Sequence, residues 1–163
     1  MCRSPLWLAA IGWILLTIAL PGSSSGGEPP SSPGSETTTT LEGEAVVLSK
    51  LLNDRQIVAD EEPASSTLVL KARSGRIYPL IRDDASRALF QDERLRNRPL
   101  VLKVREYASL PFVQVVTIQI VEEGRPRIPE YYCEICTISV RSPQICPCCQ
   151  GAMELRMRPE RRD

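Results

Sequence analysis

The chain contains no histidine. That absence excludes a Ser-His-Asp triad, a Cys-His nucleophile pair, histidine metal ligands and a histidine-ligated haem. Charge of one sign is also missing: 20 Lys and Arg residues balance 20 Asp and Glu. A neutral chain has no long-range field to draw in nucleic acid or an acidic membrane surface. Aromatics make up 5% of the residues, and beyond the apolar N-terminus they are only Tyr78, Phe90, Tyr107, Phe112, Tyr131 and Tyr132. Nucleic acid is therefore not an expected partner, since single-strand binding needs a basic groove and stacked rings. There is no Gly-rich phosphate loop and no nucleophile elbow. The carboxylate pairs Asp83–Asp84 and Asp92–Glu93 are sequence neighbours, which diverge on a helix and make no acid/base couple. No catalytic residue is expected, and the reading leans away from an enzyme.

What is present divides the 163 residues into stretches of distinct composition. Arg3 is followed by an uncharged apolar run from Leu6 to Leu20. Charge before an apolar run is the export pattern, so residues 1–21 read as a signal peptide or an apolar helical membrane anchor, with the remaining chain outside the cytoplasm. Residues 22–40 are mostly Ser, Gly, Pro, Glu and Thr, a composition expected to stay disordered as a spacer. Residues 41–129 carry strand patterns at Leu41–Leu52, Thr67–Ala72, Arg76–Ile81, Leu100–Arg105 and Phe112–Val121, with Val116, Ile118 and Ile120 on one face of the last. Pro79 favours an edge for the third strand. Asn53–Ser66 reads as a loop. Asp83 and Asp84 are candidate caps of one helix over Ala85–Arg96, closed before Pro99. The expected class is mainly β. Three strands, a helix and two strands in that order fit an OB-like five-stranded barrel, with a small α+β sheet as the alternative.

The segment 130–159 holds the most specific signal. Cys133 and Cys136 form one C-x-x-C; Cys146 and Cys149 form a second after nine intervening residues. Two such pairs at the ends of a short hairpin suit tetrahedral zinc, because four thiolates converge without strain. Thr137–Val140 reads as a strand of that cysteine-rich β-hairpin and Arg141–Pro143 as its turn. Cys148 is then a spare thiol. Two other readings stay open. Outside the cytoplasm cysteines normally pair as disulfides, and Cys133–Cys136 can cycle as a dithiol. Arg156, Arg158, Arg161 and Arg162 read as a solvated basic terminus, with residues 160–163 as the tail.

Pro147 and Gly151 around the second pair resemble the Cys-Pro-x-Cys-x-Gly knuckle of zinc-ribbon proteins. The stretch Leu68–Pro159 resembles small exported proteins of planctomycete bacteria, through Tyr78-Pro79-Leu80, Leu95-Arg96-Asn97-Arg98-Pro99, Cys133-Glu134-Ile135-Cys136 and the terminal Cys-Cys segment with Met153-Glu154-Leu155. That resemblance implies export and a cysteine cluster, and no activity. The order of anchor then barrel is similar to the OB-fold haem chaperones of cytochrome c maturation, whose haem-attaching histidine has no counterpart here. The expected role is a binding or assembly module with a structural zinc site of four cysteines. Its partner is an unidentified protein or small ligand, and an uncleaved N-terminus holds it to the membrane. The alternative is an envelope thiol-redox or metal-handling protein.

Overall fold

The computed structural model describes residues 36–159. The leader or anchor, most of the spacer and the tail 160–163 lie outside the described residues. Among those described, no helix is long and apolar enough to cross a membrane.

The fold is mainly β: eight strands in one open antiparallel sheet with a few short helices. The chain runs β1 (Glu36–Val47), α1 (Leu48–Asp54), α2 (Glu61–Ser65), β2 (Leu68–Ala72), β3 (Ile77–Pro79), α3 (Arg87–Gln91), a 3-10 turn (Glu93–Leu95), β4 (Pro99–Tyr107), β5 (Val113–Glu122), β6 (Arg125–Cys133), β7 (Ile138–Val140) and β8 (Glu154–Pro159). The sheet order is β3-β2-β1-β4-β5-β6-β7, with β8 on the other edge of β6. A closed five-stranded barrel is not formed. Across the gap between β3 and β5 the described residues make one parallel bridge, Leu80 to Val113, where the Ile81 N–H donates to the Val113 carbonyl at 3.0 Å. The ladder goes no further because β3 is three residues long, contains Pro79, and leads straight into the turn at Asp83–Ser86.

Several local expectations are corrected. The spacer does not extend to Thr40: Glu36–Thr40 belong to β1 and pair with Lys103–Tyr107 of β4. Four β-branched threonines suit a pleated strand once β4 supplies the opposite edge. The first strand ends at Val47 rather than Leu52, because the Leu48 N–H turns to the Thr67 carbonyl at 2.9 Å and the chain coils into α1. The loop Asn53–Ser66 contains α2. The single helix over Ala85–Arg96 is two short pieces, broken where Asp92 turns extended and accepts from the Arg94 N–H. Asp83 does serve the start of this region, accepting from the Ser86 N–H at 2.9 Å.

Val116 is not part of the core row. The β4–β5 register slips between Lys103 and Val104, which face Thr117 and Val115. The extra residue is a bulge, so Val113 and Val115 are buried before it and Ile118 and Ile120 after it. The hairpin into β6 is tight: Glu122 pairs with Arg125, and Glu123 and Gly124 both have positive φ, 51° and 73°. Such a two-residue turn matches the strand twist. At Gly43 the two neighbours of β1 converge, Ala72 on one side and Leu100 on the other. A Cβ there would lie 2.2 Å from the Lys71 carbonyl oxygen, so only glycine fits.

β6 is the strand on which the two halves meet. It pairs with β5 only at Arg125–Arg127, then with β7 at Tyr131–Cys133, while β8 covers Arg127–Tyr132 from the other edge. Tyr131 is 1% exposed and lies in the same apolar cluster as Leu70, Leu89, Leu102 and Ile120; Met153, Leu155 and Met157 pack against it from the C-terminal segment. The fork where β5 leaves β6 opens a cleft of about 310 Å³, lined by Val116, Ile118, Ile128, Val140, Arg141 and Arg158 among others.

Candidate metal centre

The end of β6 delivers Cys133 from the core, and the turn between β6 and β7 carries Cys136. The loop before β8 carries Cys146 and Cys149. The two C-x-x-C turns have the same local form. Each is followed by a residue with positive φ, Thr137 at 54° and Gln150 at 59°. The second turn is closed by the Gln150 N–H donating to the Cys146 carbonyl at 3.0 Å and the Cys146 N–H donating to the Gly151 carbonyl at 2.8 Å. Gly151 also sits against the cluster: a Cβ there would meet the Cys149 Sγ at 3.4 Å.

These turns bring the Sγ atoms of Cys133, Cys136, Cys146 and Cys149 within 4.8 Å of one another. The Cys133–Cys149 pair is at 3.5 Å. A zinc–thiolate bond of about 2.3 Å sets the edges of a four-sulfur tetrahedron at roughly 3.8 Å, so the observed spread surrounds the required size. A disulfide needs its sulfurs about 2 Å apart; the five described cysteines are all free thiols. All four sequence-expected ligands are therefore together, and they can hold a metal ion. Cys133 and Cys146 are buried, at 2% and 0% exposure, Cys136 is half-buried, and Cys149 is exposed. Cys148 is exposed and outside the tetrad.

Backbone dipoles favour thiolate in this pocket. The Cys149 N–H is the main influence on Cys146; burial opposes it and the Cys148 N–H adds to it, bringing this thiol down to about 6. Cys136 moves the other way: hydrogen bonding with the Cys148 thiol comes first, then burial, and both push it up. Sulfurs this close cannot all ionise readily, because each thiolate charge disfavours the next. A divalent metal would remove that conflict by deprotonating all of them.

Three supporting features escape a reading by spacing. Arg156 and Arg158 are not a loose terminus but part of β8. The Arg156 guanidinium lies 4.0 Å from the Tyr132 ring centroid and ion-pairs with Glu134, inside the first turn. Arg158 pairs with Glu130 at 3.1 Å. Deeper, the Tyr131 hydroxyl donates to Asp92 Oδ2 at 2.7 Å, and Asp92 also accepts from Arg94. Tyr131, two residues before Cys133, is thus tied to the turn between α3 and β4. The mixture of charged and apolar residues around Pro126 and Pro129 hid β6; no signal in the sequence pointed to the Asp92–Tyr131 bond. No family model, curated protein or solved structure matches the chain.

Proposed function

We propose that this protein is an exported or membrane-anchored binding or assembly module, in which an OB-like β unit carries a ribbon held by one structural zinc ion on Cys133, Cys136, Cys146 and Cys149. The observation that carries the reading is the convergence of those four Sγ atoms within 4.8 Å from two turns of the same form. Four thiolates fill a tetrahedral shell and leave no open position for substrate, which favours a structural over a catalytic ion. The OB-like part rests on the order β3-β2-β1-β4-β5, a helix between β3 and β4, and the parallel contact of Leu80 with Val113. The cleft at the β5–β6 fork is the concave, partly apolar surface on which a small ligand or protein segment would bind.

Metal analysis with thiol counting on the purified protein tests the centre. One zinc per chain is expected. Cys149→Ser should lose it, and Cys148→Ser should retain it. A metal-free protein with at most one free thiol would favour disulfides instead. A second reading, thiol-redox or metal-handling work in the envelope, draws on the exposure of Cys148 and Cys149. It gains if the metal-free protein exchanges its Cys133–Cys136 pair readily with a dithiol. Export is tested by a reporter fused after Asp163, which should be active only outside the cytoplasm.

A further inference from the structure

Strand edges are where a sheet invites another strand, and proteins usually guard them with charge, proline or brevity. Most free edges here are guarded. β3 and β7 are three residues long, and β3 contains Pro79. β8 bears Arg156 and Arg158 and ends at Pro159. The open stretch of β5 is recessed in the fork with β6 and β7. The first half of β1 is different. Its residues Glu36–Glu42 pair with β4 on one side, whereas β2 reaches the other side only from Gly43 onward.

Backbone direction along this edge follows from one bond. The Glu42 carbonyl accepts from the Arg73 N–H at 2.8 Å, on the β2 side. Alternation then turns the N–H and C=O of Thr40, Thr38 and Glu36 to the same side. No described residue pairs with them there. The run Thr37–Thr40 is uncharged and β-branched, so nothing in its side chains repels an incoming strand.

We propose that this edge pairs with the same edge of a second copy, joining two sheets about a two-fold axis. A two-fold normal to the sheet places like-facing residues opposite each other, and charge selects its centre. Centring on Thr39 sets Glu36 against Glu42, and centring on Thr40 sets Glu36 against Glu44. Centring on Thr38 sets Thr38 against its own copy and Glu36 against Thr40, with no carboxylates opposed. Thr–Thr pairs across strands are favourable, and like charges directly opposite are not. An edge this short makes a weak dimer, well below the size of standard stable interfaces. The inference does not depend on the metal.

The test is hydrogen exchange on the full chain at about 10 µM and about 1 mM, a range that spans weak association. Backbone amides of Thr38 and Thr40 should exchange at least about tenfold more slowly at the higher concentration. Thr38→Lys, at an exposed position, puts two ammonium groups opposite each other and should abolish that slowing while amides of β4 and β5 keep their protection. Thr38→Val should preserve it. Equal exchange of Thr38 and Thr40 at both concentrations in the unmodified chain overturns the proposal, even if the chain self-associates through another surface. Slowing that persists undiminished in Thr38→Lys overturns it as well.

Discussion

Asp92 shows how much one buried carboxylate can organise. It is 7% exposed and accepts from the Arg94 side chain, the Arg94 N–H and the Tyr131 hydroxyl. The Arg94 hydrogen bonds come first; burial opposes them, and the Tyr131 hydroxyl adds to them, bringing the carboxyl from the ordinary 3.8 down to about 2. Ionised Asp92 is therefore favoured in the fold over the unfolded chain. Its contribution is complete above about pH 4 and is lost as pH falls through about 2, and at about 1.4 kcal/mol per pKa unit it amounts to roughly 2 kcal/mol. Denaturant melts at descending pH should show this loss, and Asp92→Asn should flatten it between about pH 4 and about pH 2. Tyr131→Phe keeps the ring in the core but removes one donor to a charged acceptor. It should lower stability by about 2 kcal/mol at neutral pH, as read by urea unfolding. The grouping of the four clustered cysteines was legible from spacing alone, because a C-x-x-C turn is a local object. Asp92 and Tyr131 are 39 positions apart, and no short-range pattern links them.

At the scale of elements, the strands with clean alternation were legible: β2, β3, β4 and β5 lie within a few residues of where the sequence places them. Others were hidden for physical reasons. β6 contains Pro126 and Pro129, residues that argue against an interior strand, yet its neighbours change along its length and its ladder is shared among three partners. The threonine run looked like spacer because its pairing depends on β4, more than 60 residues away in the chain. The Val116 bulge moved the core row by one residue, which periodicity over a short window does not register. Gly43 gives the clearest test at this scale. Since a Cβ would overlap the Lys71 carbonyl, Gly43→Ala must push β1 and β2 apart. Overpacking of this kind costs about 1–3 kcal/mol. Thermal unfolding of Gly43→Ala should report the loss, whereas Gly75→Ala, with open space around it but a φ of 87°, should be milder and purely conformational.

For the whole molecule, the sharing of β6 predicts an uneven response to metal removal. The ribbon between Cys133 and Glu154 has few regular hydrogen bonds of its own apart from β7 and the turn at Cys146–Gly151. A bound ion would replace the apolar core such a segment lacks. Chelation should speed amide exchange through residues 134–153, leave β1–β5 protected, and produce an intermediate effect in β6. Uniform loosening of both halves would mean that the ion supports the entire sheet. The arrangement also has a consequence in time. Synthesis runs from the N-terminus, so Tyr131 and Asp92 emerge before Cys146 and Cys149 do. A ribosome-stalled chain ending near Val140, with enough added linker to clear the exit tunnel, holds every residue of the Asp92–Tyr131 bond but only half of the thiol set. It is expected to resist proteolysis across β1–β5 while carrying no zinc, so that under the proposed zinc reading the ion would be the last part of the molecule to arrive.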